Sequence, residues 1–338
     1  MPGPNVPFPP MEAELVSELP AGDGWQYEPK WDGFRGVLEN DGGELALWSR
    51  NGRPLLRYFP ELRPLGDLLP PHSAVDGEIV IAKGGVLDFD SMQMRLHPAE
   101  SRVNRLAGEI PAIFIAFDLL LWNGEAVHER PLEERRAELL RVGEGFWISP
   151  ATTSLEAATA WLDRYEVAGL DGVIGKRLGL PYMPGSREAV VKIKEHKTAD
   201  CVVVGVRWKN RAEGKLATLL LGLYREDGEV DYVGSAAVGA RNHDEIAARV
   251  LPLVDERSER RFSEPNRWGN EGLEEAPLRH ELVVEVRYDK VQGNRFRHGT
   301  KLIRFRDDKD PAQCTWREVR PPRRADDPTV ESLLDSTS

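Results

Sequence analysis

The first place where residue types suggest chemistry is Glu28-Pro29-Lys30-Trp31-Asp32-Gly33-Phe34-Arg35. A primary amine is a nucleophile at neutral pH only when burial or a neighbouring cation lowers its pKa from about 10.4. Arg35, five residues after Lys30, is one such cation. Asp-Gly signals a turn, and the flanks Trp25-Gln26-Tyr27 and Gly36-Val37-Leu38 read as strands. Lys30 is therefore expected beside a tight bend, where a ligand can reach it. The same octapeptide would also serve as a surface hairpin carrying a solvated lysine, and Lys-x-Asp-Gly alone does not choose between the two.

Charged residues on or beside later apolar runs extend the first reading. Val75-Asp76-Gly77-Glu78-Ile79-Val80 is a second Asp-Gly turn with Glu78 at the start of a strand, and Leu170-Asp171-Gly172-Val173-Ile174-Gly175-Lys176 is a third. Asp118 interrupts the apolar run Ile113 to Leu121. A buried unpaired carboxylate is costly, so Asp118 either serves a site or forms a structural ion pair with an arginine. Lys192 and Lys194 share a face of Val190-Val191-Lys192-Ile193-Lys194, because strand side chains alternate with period 2. They are cations for a phosphate or a solvated edge. Several carboxylates among several cations suit a hard metal ion with a polyphosphate. The glycine-rich loops of P-loop and dinucleotide-binding proteins are absent from the sequence.

The elements that must position these groups follow from periodicity. Residues 1–20 are proline-rich, with a short helical pattern from Met11 to Leu19. Leu45 to Trp48 and Ile113 to Leu121 read as strands, and Ser49 to Gly52 as a turn beside Arg50. Helical spacing appears over Arg57 to Leu69, Phe89 to Leu106, Pro131 to Val142 and Leu155 to Ala168. After Glu195 the pattern changes to short β runs, Cys201 to Arg207, Leu219 to Tyr224, Val230 to Ala236 and Leu282 to Tyr288, with one helix from Asp244 to Val254. Such a set suits a small barrel of the oligonucleotide-binding (OB) type. The expected fold class is thus α+β: a domain of antiparallel sheets with flanking helices over 1–195, then an all-β barrel over 196–320. Residues 321–338 read as a disordered tail.

Composition sets outer limits. The 338 residues, 41% hydrophobic and 30% charged, describe a globular chain of two or three domains. Cys201 and Cys314 have no metal spacing and suit a reducing cytosol; the start lacks a signal peptide, and no run is long enough to span a bilayer. A cytoplasmic monomer is the expectation. The net charge of −11 argues against a nucleic-acid partner only on average. Residues 1–195 hold 20 basic against 30 acidic side chains, whereas 196–320 hold 23 against 22, and Arg287 to Arg306 holds seven against one. That local stripe is what phosphate binding needs.

Taken in order, Lys30-Trp31-Asp32-Gly33, Asp76-Gly77-Glu78, Phe117-Asp118-Leu119-Leu120, Asp171-Gly172-Val173-Ile174-Gly175-Lys176, Lys192-Ile193-Lys194 and Arg304-Phe305-Arg306-Asp307-Asp308-Lys309 resemble the six motifs of the covalent nucleotidyltransferases. Within that superfamily the chain, from Trp25 to Pro311, is similar to the bacterial ATP-dependent DNA ligases. It resembles most the stand-alone ligase C type and the ligase module of the end-joining ligase D. The fourth motif usually begins with glutamate; here it is Asp171, whose shorter arm shifts a metal or its bridging water.

The resemblance implies ATP-dependent sealing of nicked or broken duplex DNA in repair, by way of lysyl-AMP and DNA-adenylate. Lys30 would carry AMP. Lys192 and Lys194 would hold the α-phosphate and depress the pKa of Lys30, and Glu78 and Asp171 would place Mg²⁺ (or Mn²⁺). Arg35 and Arg50 would hold ribose and phosphate groups. Phe117 would stack on adenine, with Ile174 on its other face and Glu28 near the base. Arg306, Asp308 and Lys309 would orient the leaving pyrophosphate, which requires the second domain to approach ATP and later withdraw for DNA. DNA-repair proteins are expected partners. An RNA ligase or mRNA guanylyltransferase of the same superfamily is the alternative. Arg207, Lys209, Arg211 and Lys215, around one hairpin, are candidate DNA contacts or an ordinary solvated loop.

Overall fold

The computed structural model describes residues 4–194, 197–255, 257–258, 274–297, 299–320 and 322–335. The chain divides into two compact units, 1–195 with 324–338, and 196–323. Residues 195, 196, 321 and 336–338, which include the expected domain boundary and the end of the tail, lie outside the described residues.

The first unit is built on two sheets. A five-stranded sheet runs in the order Leu45–Ser49, Phe34–Asn40, Ser73–Val80, Ile113–Leu121, Trp147–Ile148. A four-stranded sheet runs Glu14–Leu15, Val190–Ile193, Val173–Arg177, Trp25–Pro29. Pairing is antiparallel except at two short edges, Glu14–Leu15 on Val191–Lys192 and Trp147–Ile148 on Ile115–Ala116. The chain passes from one sheet to the other through Lys30–Gly33, between the strands Trp25–Pro29 and Phe34–Asn40. Leu38, Leu47, Phe59, Ile79 and Leu119 fill the largest core of this unit, and the helix Leu132–Val142 contributes Leu139 to it.

Four expectations need correction. Residues Met11 to Leu19 form no helix; Glu14–Leu15 is a strand at a sheet edge, where the ladder offers hydrogen bonds that a short proline-led helix could not match. Arg57 to Leu69 folds as two 3-10 segments, Leu56–Tyr58 and Pro60–Asp67, the second containing Pro64, which cannot donate to an α-helical ladder. Phe89 to Leu106 is two helices, Phe89–Arg95 and Glu100–Glu109, parted at Pro98. Asp76-Gly77 is no turn but lies inside the strand Ser73–Val80.

The tail is also ordered where it is described. Val330–Asp335 is a helix whose Val330, Leu333 and Leu334 are buried in one cluster with Trp31, Val80, Leu87, Ile115 and Leu170. Val330 N donates to Gly85 O at 3.0 Å. Thr329 and Ser332 cap the helix reciprocally, Thr329 N to Ser332 Oγ at 2.9 Å and Ser332 N to Thr329 Oγ1 at 3.1 Å. Three apolar residues at helical spacing outweighed the polar surroundings that had suggested disorder.

The second unit is a six-stranded antiparallel sheet, Val230–Ala237, Lys215–Tyr224, Lys197–Asn210, Val283–Tyr288, Lys301–Phe305, with Glu275–Pro277 also paired to Lys197–Asn210. A bridge from Ala236 to Thr300 joins the two ends of the strand order. Val203, Val206, Leu219, Leu221 and Val284 form its core, with Ile246 and Val250 of the helix His243–Val250 against them.

Candidate active site

Lys30 is held where the chain crosses between the sheets. Its N–H donates to Gly172 O at 2.9 Å, and Asp171 N donates to Lys30 O at 3.0 Å. The glycines of the two Asp-Gly pairs make this crossing possible. A Cβ on Gly33 would lie 2.0 Å from Ile79 O, and one on Gly172 would lie 2.0 Å from Ile193 O. Close backbone approach calls for glycine at both positions, and Gly172 in addition has a φ of +135° that disfavours any side chain. The Lys30 ammonium pairs with Asp171 Oδ2 at 2.5 Å, and Lys194 Nζ reaches the same oxygen at 3.0 Å. Burial alone would raise the pKa of Asp171, but Lys30 and then Lys194 hold it below the usual carboxylate range.

A pocket of about 150 Å³ opens beside Lys30. The four-stranded sheet lines it with Glu28, Ile174, Lys176 and Val190, and the five-stranded sheet with Arg35, Glu78, Phe117 and Asp118. Phe117 and Ile174 thus come from different sheets. The Phe117 ring lies 4.7 Å from Lys176 Nζ and 5.4 Å from the Arg35 guanidinium, both cation–π contacts. Arg35 is fixed by Asp76, Nε to Oδ1 at 3.0 Å and Nη2 to Oδ2 at 2.6 Å, and Tyr182 donates its hydroxyl to Asp76 at 2.7 Å. The Glu28 carboxylate is buried and occupied by Lys176 at 2.8 Å and Gln26 Nε2 at 2.9 Å.

Glu78 is the unusual carboxylate of the pocket. Burial pushes its pKa up to about 8, against the pull of Lys30 and Arg35. No group of three or more metal-ligating side chains occurs among the described residues. Lys192 pairs across the sheet with Ile174, and burial, then Lys30 and Lys194, shift its pKa down.

Other expected residues stand elsewhere. Asp118 lines the pocket, but its carboxylate is taken by Arg135, Nε to Oδ1 at 2.7 Å and Nη2 to Oδ2 at 3.0 Å. Of the two readings open for Asp118, this is the structural ion pair. Arg50 is mostly exposed and pairs with Glu12 at 2.9 Å. In the second unit, Arg306 forms a two-pronged pair with Asp308 at 2.9 Å on each arm, which holds the Asp308 pKa at about 2. Arg207 is buried and paired with Glu275 at 2.8 Å, so it is no DNA contact of the hairpin. Lys176 and Met11 were not given roles from sequence. Lys176 had a signal, since period 2 puts it on the face of Ile174. Met11, whose carbonyl accepts from Arg35 Nη1, had none.

A family model described as ATP dependent DNA ligase domain matches residues 10–194. The chain belongs to the ATP-dependent DNA ligases. A second model, the ATP dependent DNA ligase C terminal region, matches residues 212–309 of this ligase. Among curated relatives, DNA ligase C1 of Mycolicibacterium smegmatis is 43% identical over 332 residues, covering 94% of each chain. The multifunctional non-homologous end joining protein LigD of Pseudomonas aeruginosa is 32% identical over 265 residues, 75% of this chain and 30% of that one. A solved Lig E DNA ligase shares the fold at a TM-score of 0.53 and 17% identity, covering 88% of this chain and 98% of that one. No helix among the described residues is long and apolar enough to cross a membrane.

Proposed function

We propose that this ATP-dependent DNA ligase carries AMP on Lys30 and passes it to the 5′-phosphate of a DNA nick or break. The observation that carries the assignment is the Lys30 amine, lining the pocket between the sheets and gripped by Asp171 and, through it, tied to Lys194. The amine attacks the α-phosphorus of ATP; a P–N bond forms, the bridging P–O bond breaks and pyrophosphate leaves. A 5′-phosphate oxygen then displaces the lysine, and the 3′-hydroxyl displaces AMP to seal the strand. Each step is an in-line displacement at phosphorus, so positioning and charge neutralisation supply most of the catalysis.

The Lys30 amine must shed a proton and leave Asp171 before it attacks. Lys192 and Lys194 bind the α-phosphate. Phe117 and Ile174 sandwich adenine, beside Glu28 with its side chain held by Lys176. Arg35, set by Asp76, and the exposed Arg50 bind ribose and phosphate groups. Arg306 and Lys309, with Asp308, orient the pyrophosphate in the first step. Glu78 and Asp171 would hold Mg²⁺ or Mn²⁺, since hard ions accept one or two protein carboxylates together with substrate phosphates. The metal would neutralise charge on the phosphate oxygens, and its charge would keep Glu78 ionised. The second unit is an OB barrel that contributes to DNA binding, through the basic residues that precede Arg306 in the stripe from Arg287. The LigD relative supports a place in break repair. Incubation with ATP labelled in the α-phosphate tests the assignment: wild-type protein acquires acid-labile, base-stable label, and Lys30→Ala protein acquires none. Label on Lys30→Ala protein overturns it.

A further inference from the structure

The two cations assigned to pyrophosphate share a buried anchor that lies outside the six motifs. Arg306 Nη1 donates to Asp200 Oδ2 at 2.8 Å, and Lys309 Nζ donates to the same oxygen at 2.9 Å. Asp200 stands on the strand Lys197–Asn210 and is 8% exposed. Glu318 completes the cluster: one oxygen accepts from Lys309 Nζ, and the other accepts from the Asp200 backbone N–H at 3.2 Å. The Arg306 backbone is itself tied down, its N–H donating to Val283 O at 2.8 Å.

Donor counting shows what this leaves for a ligand. A guanidinium has five N–H donors and an ammonium three. Asp308 and Asp200 take three from Arg306, and Asp200 and Glu318 take two from Lys309. Among the described residues, two arginine donors and one lysine donor remain uncommitted. Both side chains keep part of their surface exposed, 21% and 17%, while Asp200 lies on the interior side. Each cation thus keeps donors beyond those that Asp308, Asp200 and Glu318 take, and neither side chain is fully buried. The other oxygen of Asp200, Oδ1, is buried and has no hydrogen-bond partner among the described residues. Leaving that oxygen unpaired offsets part of what the two ion pairs contribute to stability.

We infer that Asp200, seconded by Glu318, is a positioning residue that pre-sets Arg306 and Lys309 as a paired clamp for the β- and γ-phosphates of ATP. The inference rests on the assignment of Arg306 and Lys309 to pyrophosphate. Two long side chains left to rotate would have to be ordered when ATP binds, and a small displacement of either removes it from line with the leaving group.

The test compares Asp200→Asn, Glu318→Gln and Arg306→Ala in the full chain. Three quantities are measured: the rate of lysyl-AMP formation against ATP concentration, pyrophosphate-driven loss of AMP from adenylated enzyme, and sealing of a nick supplied already adenylated. For Asp200→Asn we expect both pyrophosphate-dependent reactions to fall roughly 10- to 100-fold, the scale of a misplaced catalytic group. Sealing of the pre-adenylated nick should stay within about threefold, because no pyrophosphate is oriented there. Glu318→Gln should act in the same direction and more weakly, and it decides by the same criteria if Asp200→Asn does not fold. If Arg306→Ala is impaired but Asp200→Asn adenylates as fast as wild type or faster, the carboxylate is inert or competes with phosphate, and this inference falls alone. Equal loss of all three reactions, accompanied by a lower melting temperature, would make Asp200 merely structural and also overturn it. Normal adenylation by Arg306→Ala would overturn the underlying assignment.

Discussion

Replacing Asp118 with Asn separates a catalytic from a structural role for the third-motif carboxylate. Asp118 and Arg135 are each about 1% exposed in their side chains. Both carboxylate oxygens are committed, Oδ1 to Arg135 Nε and Leu119 N, Oδ2 to Arg135 Nη2. Arg135 spends Nη1 on the carbonyls of Arg130 and Leu180, at 2.8 and 3.0 Å. The pair therefore ties the strand Ile113–Leu121 to the helix Leu132–Val142, and three of the carboxylate's roughly four lone-pair sites are taken. Asparagine leaves the guanidinium charged and buried, and turns an amide N–H₂ toward one of its donors. Breaking a buried pair from one side costs about 3–5 kcal/mol. In a unit of about 200 residues, that lowers the melting temperature by roughly 6–20 °C.

The assay is urea and thermal unfolding of Asp118→Asn, Arg135→Met and the double variant, with adenylation measured well below each melting point. Each single variant should lose about 3–5 kcal/mol, and the double variant much less than their sum, because it buries no unpaired charge. Adenylation of folded Asp118→Asn protein should stay within a few-fold of wild type. The pH dependence has a defined sign. Burial alone would raise the Asp118 pKa, but Arg135 holds it below the usual range. A depressed folded-state value gives stability that is complete above the unfolded pKa of about 3.9 and is lost as pH falls through the folded value. Asp118→Asn should therefore remove stability at neutral pH and flatten the acid limb below about pH 4. A variant that loses less than about 1 kcal/mol yet no longer adenylates would refute the reasoning and return Asp118 to the reacting centre.

Phe117→Ala should raise the ATP concentration needed for half-maximal adenylation by about one to two orders of magnitude, since stacking on an aromatic face contributes roughly 1–3 kcal/mol per base; an unchanged value would remove Phe117 from the adenine site. Ending the chain after residue 323 should destabilise the first unit by several kcal/mol, because Val330, Leu333 and Leu334 leave the cluster around Trp31; an unchanged unfolding curve would show that the helix Val330–Asp335 is dispensable. Lys209→Ala should weaken affinity for nicked DNA and reduce its salt slope, whereas Arg207→Ala should act through stability, its guanidinium being buried against Glu275; the reverse pattern would reassign both.

The site was legible in sequence where function imposes residue type, and obscure where tertiary packing decides the conformation. Lys30, Arg35, Glu78, Phe117 and Ile174 all line one pocket, although 144 positions separate the first from the last; the charges of Lys30, Arg35 and Glu78 stood out beside apolar strands, whereas Phe117 and Ile174 were expected only from the resemblance to the ligase motifs. The three Asp-Gly pairs show the limit of local reasoning. As dipeptides they signal turns, but Gly77 lies mid-strand, where a Cβ would be 2.5 Å from Ile115 O, and Gly33 and Gly172 let backbones touch at the lysine crossing. A turn and a close approach ask the same thing of the sequence, the absence of a side chain, and only long-range structure tells them apart. The tail failed for the opposite reason. Val330, Leu333 and Leu334 carried a helical pattern, but its partners Trp31 and Leu170 lie far back in the chain, so no local window could weigh their burial against a polar composition. That burial also bears on the reaction. Trp31 adjoins Lys30 and Leu170 adjoins Asp171, so the helix Val330–Asp335 helps to pack the crossing that holds Lys30, and losses there should reach adenylation before they reach the second unit.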